Sequence, residues 1–191
     1  MVISRYQVIY VDPPWDYGSA GNSPKIGGGA KAHYPCMSMA ELCALPVSTI
    51  AADDAVLLMW ATSPFLSKIF KSRLIEAWGF EYKSSFVWNK VKHNMGHYNS
   101  VRHELLLICT RGAIGVPGFW TSGTGVYSEP RTAHSKKPGW FRSRIAETFF
   151  EARKIELFAR ERHEGWDAFG NEIQSDVSIS PANATGAVAA D

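Results

Sequence analysis

The segment Asp12–Trp15 (DPPW) places a carboxylate, two prolines and an aromatic ring directly after the apolar run 8–11. That run (VIYV) contains β-branched and aromatic residues and predicts a buried strand. A proline cannot donate to a sheet ladder, and the residue before it favours an extended backbone, so Asp12 is expected to be the last extended residue. Its carboxylate then lies at the carboxyl end of a strand, where open α/β sheets bind ligands.

The exocyclic amine of a nucleobase is a group that this segment can activate. The lone pair of such an amine is delocalised into the ring, and two acceptors placed at its two N–H bonds localise it. Asp12 supplies one acceptor and the carbonyl of Pro13 the other, while the ring of Trp15 can stack on a base for about 1–3 kcal/mol. We therefore predict a catalytic segment of Asp12, Pro13, Pro14 and Trp15. The alternative interpretation is a strand end, a turn and a buried tryptophan.

Strands and helices alternate along the rest of the chain. Apolar runs predict strands, and amphipathic stretches with capping residues predict helices. The predicted strands are residues 8–11, 55–62, 82–90, 103–111 and 154–160, and the predicted helices are 38–45, 63–78 and 138–152. This alternation predicts an α/β fold with a largely parallel sheet covered by helices. The domain is expected to span residues 1–173, and the small, polar, aperiodic segment 174–191 is predicted to be disordered.

Length and composition predict a single globular domain, and the protein is expected in the cytoplasm. The chain has 191 residues, of which 46% are hydrophobic and 20% charged, and it contains no apolar run long enough to span a bilayer. The first residues lead almost directly into a strand, so no signal peptide is predicted. The three cysteines have no paired metal spacing and are expected to be free thiols in a reducing compartment.

The net charge of +2 conceals a basic region. All 20 Lys and Arg residues lie before residue 163, whereas five of the 18 acidic residues come after it. Two stretches, 83–103 and 131–145, contain no acidic residue at all. This distribution favours an anionic partner such as nucleic acid, and a solvated basic face is the alternative interpretation.

Several separated motifs, taken in order, resemble those of the MT-A70 family of adenine-N6 methyltransferases. The motifs are DPPW, HYPCMS, GHYNSVRHELLLIC with its early glutamate Glu104, RTAHSKKP, RKIELFAR and GWDAFGNE. The resemblance covers residues 6–173, which is nearly all of the chain. It is most like the prokaryotic and phage members, which modify DNA.

The resemblance implies a fold and a cofactor. The fold would be the Rossmann-like methyltransferase sheet with helices on both faces, and the catalytic strand would come before the cofactor strand in a permuted order. The cofactor would be S-adenosylmethionine, and no metal is implied. The glycine-rich cofactor loop is missing, because Arg160 and Arg162 occupy the place of its glycines. The implied cofactor contacts are Asp12, Lys137, Arg160, His163, Asn171 and Glu172.

Nucleic-acid contacts are predicted on the loops around the first motif. Tyr34 follows a flexible GGGAK segment and resembles a lid residue that stacks on the target base. The other predicted substrate contacts are Lys90, Lys92, His97, Arg102 and His134. The spacing of His97 and His103 matches no standard metal site. Trp60, Trp78 and Trp88 lie within strand or helix patterns and are expected in the core.

With these features, the resemblance implies a site-specific DNA methyltransferase that acts on adenine N6 with S-adenosylmethionine as cofactor. Methylation of adenine in RNA, methylation of cytosine N4 and a nucleic-acid-binding subunit without activity are the alternatives. The expected partner is nucleic acid, most readily DNA, with no membrane association. The protein is expected to be a monomer or a homodimer.

Overall fold

The strand predicted before Asp12 lies inside a seven-stranded sheet in the computed structural model, which describes residues 5–16, 36–94, 98–115, 125–132 and 136–181. The strands are β1 (Tyr6–Val11), β2 (Ala51–Ala61), β3 (Glu81–Asn94), β4 (Val101–Arg111), β5 (Val126–Ser128), β6 (Lys154–Leu157) and β7 (Asp167–Phe169). Their order across the sheet is β5-β3-β4-β2-β1-β6-β7. The sequence predicts the five longer runs and misses β5 and β7, each of which has three residues.

One strand runs against the others. β4 is antiparallel to both β2 and β3, whereas the pairs β1–β2, β1–β6, β3–β5 and β6–β7 are parallel. The prediction of a largely parallel sheet is therefore confirmed. Because β4 is reversed, its first residues lie where the parallel strands end, and Leu105 pairs with Ala61 at the end of β2. We call this side of the sheet the carboxyl edge and the opposite side the amino edge.

Helices cover both faces of the sheet, as predicted. They are α1 (Met39–Ala44), α2 (Val47–Ile50), α3 (Ser63–Ser72), α4 (Leu74–Ala77) and α5 (Gly139–Thr148). Apolar residues of α1 to α4 pack in one buried cluster with Ile9 and Val11 of β1, and those of α5 pack in a second with Val8 and Tyr10. The alternation of β1 residues between the two clusters follows from the two-residue period of a strand.

The ends of the helices follow local signals with one exception. Ser38 and Glu41 form the predicted capping box at the start of α1. The helix predicted over 63–78 is instead two helices, because Arg73 adopts a left-handed backbone with φ of 56°. The amphipathic pattern continues through this break, so the sequence does not reveal it.

The direction of the chain across the sheet reverses at β1. From β1 the chain crosses to β2 on one side, and from β6 it crosses to β7 on the other. Val11, the last residue of β1, pairs with Leu157 of β6 and with Met59 of β2. The carboxyl ends of β1 and β6 therefore meet at a topological switch point, which is the usual ligand site of an open α/β sheet. The permuted strand order is confirmed.

The segment after residue 173 differs from the prediction of disorder. The carboxylate of Asp176 accepts a hydrogen bond from the backbone N–H of Ala168 at 2.8 Å and pairs with Arg162 at 2.9 Å. Ile179 is buried against the core. Disorder is therefore wrong for residues 174–181, and residues 182–191 lie outside the described residues. Low hydrophobicity predicts disorder from composition, but a single apolar residue and one carboxylate tie this segment down.

Three further expectations concern the tryptophans, the cysteines and membrane-spanning helices. Trp60, Trp78 and Trp88 are buried, as predicted. Cys36, Cys43 and Cys109, all among the described residues, form no disulfide bond. Within the described ranges, none of the helices has the length and apolarity needed to span a bilayer.

Candidate active site

The carboxylate of Asp12 lies at the carboxyl edge and is paired with a lysine that comes from the far end of the sequence. The ammonium of Lys137 donates to Asp12, with 2.6 Å between Nζ and Oδ2. Lys137 precedes α5, and Pro138 is the N-cap of that helix, so α5 fixes where the lysine backbone lies. The acidic strand end and the predicted cofactor lysine therefore belong to one site.

A second carboxylate extends this pair into a chain of four charges. Glu104, the fourth residue of β4, lies 3.4 Å from Lys137 and also accepts a hydrogen bond from Lys90 of β3. The side chains of Lys137, Glu104 and Lys90 are only 11–13% exposed, and that of Asp12 is 28% exposed. Two carboxylates and two ammonium groups alternate along the chain, so their charges cancel. Burying these groups is possible only because each charge has a partner of opposite sign.

Burial and neighbouring charges act in opposite directions on the two central groups. Burial is the largest influence on Asp12 and raises the pKa of its carboxyl above the usual value of 3.8, although Lys137 opposes the shift. Burial alone would lower the pKa of Lys137. Asp12 and Glu104 outweigh it, so the pKa of Lys137 lies above its ordinary value. Lys137 is therefore a permanent cation at neutral pH, held between two carboxylates.

One of the four DPPW residues, Trp15, takes a position that differs from the prediction. The ring of Trp15 is buried and stacks on Phe65 with 4.8 Å between ring centroids. It is a core side chain and not a platform for a base, so the alternative interpretation holds for Trp15. The carbonyl of Pro14 accepts a hydrogen bond from the N–H of Met37 at 2.8 Å, which connects the DPPW segment to the residues before α1.

The carbonyl of Pro13 keeps the capacity that the predicted role requires. It accepts one hydrogen bond, from the N–H of Trp15 at 2.9 Å. A carbonyl oxygen has two lone pairs and can accept a second hydrogen bond.

Buried polar contacts fix α5, and with it Lys137, on the sheet. The guanidinium of Arg142 donates two hydrogen bonds to Glu156 of β6, at 2.9 and 3.0 Å. Lys154 donates to the carbonyl of Phe149, the C-cap of α5, at 2.9 Å and to that of Ala152, which follows the helix, at 2.7 Å. Helix carbonyls that lack a partner within the helix are the groups that need such a cap. The helix is held in its middle and at its end by β6, the strand beside Asp12.

The turn after β6 has a backbone conformation that favours glycine, but the residue at this position is Phe158. Phe158 has φ of 60°, a left-handed conformation that L-residues rarely adopt. The backbone then passes very close to Gly170, where a Cβ atom would lie 2.0 Å from the carbonyl oxygen of Ala159. The N–H of Ala159 also donates to the carbonyl of Phe169 at 2.9 Å. Gly170 therefore allows the segment after β7 to lie against the carboxyl end of β6.

The predicted cofactor contacts on this side lie around that close approach. Arg160 follows the turn and lies 3.9 Å from Glu172. The charge of Arg160 opposes the rise in the pKa of Asp12, so the guanidinium lies close enough to act on that carboxylate. Asn171 is exposed beside Gly170, and His163 is half-buried. A guanidinium, an amide and a carboxylate at this strand end are suited to the carboxylate and the ribose hydroxyls of S-adenosylmethionine.

The predicted substrate contacts divide into three groups. Lys92 and Arg102 are exposed, near the end of β3 and at the start of β4, at the carboxyl edge. Lys90 is different, because it is buried against Glu104 and is therefore wrong as a phosphate contact. Tyr34, His97 and His134 lie outside the described residues.

Much of the second basic stretch is likewise used inside the protein. Lys137 and Arg142 pair with Asp12 and Glu156, and Lys136 lies 3.2 Å from Glu161. Arg131 is exposed. The sequence gives the charge of these residues but not their partners, which lie far away along the chain.

Glu104 and Lys90 are the site residues that sequence reasoning missed or misplaced. The available signal was a glutamate followed by an uninterrupted apolar strand, LLLIC, because a buried acid at a strand end needs a cation. The cation is Lys90, the last residue of the predicted strand 82–90, which pairs with the strand that carries Glu104.

Comparison with known proteins agrees with this geometry. A family model described as MT-A70 matches residues 6–172. The type II methyltransferase M.MunI of Mycoplasma sp is 39% identical over 184 residues, which cover 88% of this chain and 78% of that protein. The chain belongs to the MT-A70 family.

Two eukaryotic MT-A70 relatives are more distant. The N6-methyladenosine RNA methyltransferase MTA1 of Pyricularia oryzae is 28% identical, with 88% of this chain and 47% of that protein covered. The N(6)-adenine-specific methyltransferase METTL4 of Homo sapiens is 25% identical, with 88% of this chain and 37% of that protein covered. The chain spans less than half of either eukaryotic protein, so the family assignment concerns the methyltransferase domain alone.

Proposed function

We propose that this protein transfers a methyl group from S-adenosylmethionine to N6 of adenine in DNA. The observation that carries the proposal is the Asp12 carboxylate at the switch point, paired with Lys137 and adjacent to the Pro13 carbonyl. M.MunI, a type II methyltransferase by name, resembles this chain over most of its length, which favours DNA as the substrate. The smaller coverage of the relative that is named an RNA methyltransferase makes RNA the second candidate.

The catalytic step needs two acceptors and no covalent intermediate with the protein. The Asp12 carboxylate and the Pro13 carbonyl accept hydrogen bonds from the two N–H groups of the amine and thereby localise its lone pair. When bound, the cofactor supplies an electrophilic methyl group on a sulfonium. The bound cofactor would supply its methyl carbon to the amine nitrogen and would keep the electron pair of the broken carbon–sulfur bond on sulfur. The aminium that forms then loses a proton to water. Positioning and charge placement supply the rate enhancement.

Glu104 makes it possible for Asp12 to exchange partners. Lys137 is already within 3.4 Å of Glu104, so it keeps a counter-charge when Asp12 turns towards an amine. Without the second carboxylate, accepting the substrate would leave a buried ammonium group unpaired, at a cost of several kcal/mol.

Nucleoside analysis by mass spectrometry tests the proposed activity. Purified protein is incubated with isotopically labelled S-adenosylmethionine and with either DNA or RNA. Labelled N6-methyladenine in DNA supports the proposal. Label in RNA alone moves the activity to the second candidate, and N4-methylcytosine overturns the assignment of the base. Cofactor binding without label in either polymer supports an inactive nucleic-acid-binding subunit.

Cofactor affinity is expected to fall when Lys137 or Asn171 is replaced by Ala. Lys137 would lose a charge-assisted contact and Asn171 a ribose hydrogen bond, so Kd should rise by about tenfold or more in each variant. Isothermal titration calorimetry with S-adenosylmethionine measures both. Lys71→Ala, at the exposed end of α3, is the control and should bind as the wild type. Unchanged affinity in both site variants would show that the cofactor segment is misassigned.

The salt dependence of DNA binding is expected to come partly from Lys92 and Arg102. Each phosphate contact on duplex DNA contributes about 0.9 to the slope of log K against log salt concentration. Replacing both residues by Gln should therefore reduce the slope by up to about two, with cofactor affinity unchanged. Fluorescence anisotropy at several salt concentrations gives the slope.

A matched control is the double variant Lys71→Gln with Lys83→Gln. Both of these lysines are exposed, at the end of α3 and the start of β3. If the control lowers the slope as much as the Lys92 and Arg102 variant does, the contacts at the carboxyl edge are not specific to these two residues.

A further inference from the structure

The β3–β4 hairpin carries an aromatic ring into solvent at the carboxyl edge. Asn89 pairs with His103 beside the site, and the two strands pair again at Asn94 and Val101 after an irregularity. Lys90 turns into the site and reaches Glu104, so the residues that follow it extend past the active site. We call residues 91–94 and 98–102 the hairpin arm. The side chain of Tyr98 in this arm is 102% exposed.

The exposure of Tyr98 distinguishes it from the other exposed aromatic residues. Phe70 and Tyr82 cover each other with ring centroids 5.4 Å apart, and Trp140 stacks on Tyr127 at 4.2 Å. Phe150 is 74% exposed but lies before β6 at the amino edge, where its carbonyl accepts from Lys154. Among the described residues, Tyr98 is therefore the fully exposed ring on the side of the sheet that carries Asp12.

The surroundings of Tyr98 are suited to a polyanion. Lys92 and Arg102 are exposed on the two strands of the arm, and residues 83–103 contain no acidic residue. Val91 is also exposed. The arm thus combines cations that can contact phosphates with an apolar ring that no protein group covers in the described structure.

We propose that Tyr98 inserts into the base stack of duplex DNA and fills the space that the target adenine leaves when it enters the active site. This inference rests on the proposed function. An adenine inside a duplex cannot reach Asp12 unless it leaves the stack, at a cost of a few kcal/mol. An aromatic ring that stacks on the neighbouring bases recovers about 1–3 kcal/mol of that cost. In single-stranded DNA there is no gap to fill, so Tyr98 has no such role there.

The test compares native duplex DNA with the same DNA after heat denaturation. Bacterial genomic DNA free of N6-methyladenine serves as the substrate, and transfer of labelled methyl groups gives kcat and KM for each form. Tyr98→Ala should lower kcat/KM on native DNA about 5- to 150-fold and change it less than twofold on denatured DNA. Tyr98→Phe keeps the ring and should retain the wild-type rate on both forms. Phe150→Ala removes an exposed ring at the amino edge and should change neither.

The two proposals fail in different ways in this experiment. A wild-type protein that methylates neither form overturns the proposed function and this inference with it. A wild-type protein that is active, together with a Tyr98→Ala variant that is unchanged on duplex DNA, overturns the inference alone. An equal loss on both forms also overturns it, because Tyr98 would then be a general contact. Failure of Tyr98→Phe to retain activity would assign the role to the hydroxyl and overturn the stacking.

Discussion

Replacing Asp12 by Ala is expected to lower the rate of methyl transfer by about two to three powers of ten. The carboxylate acts on the amine in the transition state, and loss of one such pre-organised group typically has an effect of this size. Most of the cofactor affinity should persist, because Lys137 keeps Glu104 as a partner at 3.4 Å and the contacts at the end of β6 are untouched. Single-turnover kinetics at saturating cofactor measures the chemical step directly.

Asp12→Asn is the sharper companion variant, because it keeps the size of the side chain and removes the charge. It should transfer as slowly as Asp12→Ala or nearly so. Asp53→Ala is the matched control, since Asp53 lies on β2 with its side chain 86% exposed and pairs with Arg5. Transfer by Asp12→Ala at the wild-type rate would rule out the proposed role of the carboxylate.

The pKa of Asp12 gives the same experiment a pH dependence. Only the ionised carboxylate of Asp12 can accept hydrogen bonds from both the Lys137 ammonium and the substrate amine. Burial raises the pKa of this carboxyl. The wild-type rate should therefore fall on the acid side at a higher pH than an exposed aspartate would give. The residual rate of Asp12→Asn should not show this acid limb.

Replacing Glu104 by Ala is expected to destabilise the folded protein by about 3–5 kcal/mol and to lower its melting temperature by about 10 °C. Glu104 is the carboxylate that Lys90 and Lys137 share, and both lysine side chains are nearly buried. Removing it leaves the ammonium of Lys90 without that counter-charge. Thermal and urea unfolding followed by circular dichroism measure the loss.

Two further variants separate the lost ion pair from the lost side chain. Glu81→Ala removes an acid of β3 whose side chain is 76% exposed, where it pairs with Lys83, and should cost less than about 1 kcal/mol. Replacing Glu104 by Leu and Lys90 by Met together removes both charges and should recover much of the stability. If the Glu104→Ala variant has the same melting temperature as the wild type, the chain of four charges contributes nothing to the stability of the fold.

The parts of the fold that were predictable are those that local sequence determines. The two prolines after Val11 end β1, and the capping box of Ser38 and Glu41 starts α1. β5 and β7 were missed because each has only three residues, which is too short for a periodic pattern. They form strands by pairing with β3 and β6, and this pairing is not visible in their own sequences. The break at Arg73 was missed because the apolar face continues across it.

The same distinction separates the predicted from the mispredicted site residues. Asp12 follows from its own neighbours, since a strand and two prolines fix its place. Lys137 was identified by resemblance, yet nothing in the sequence says that its ammonium pairs with Asp12. Lys90 and Trp15 were misplaced because residue type gives charge and aromatic character but not burial. The burial of Lys90 and of Trp15 is determined by contacts with residues that are distant in sequence, Glu104 and Phe65.

The position of β1 between β2 and β6 has a consequence for how the protein is made. β1 is apolar on both faces and is synthesised before β2, but its other neighbour, β6, leaves the ribosome only after α5 has been made. Until then one edge of β1 has unpaired backbone groups, which is the feature that promotes aggregation of nascent chains. The contact of Val8 with Lys154 spans most of the sequence, and contacts of such long range make folding slow. A translation product that stops before β6 therefore lacks the strand that both completes the site and protects the sheet. We expect cells to contain the finished enzyme or its degraded fragments, and no stable half-domain.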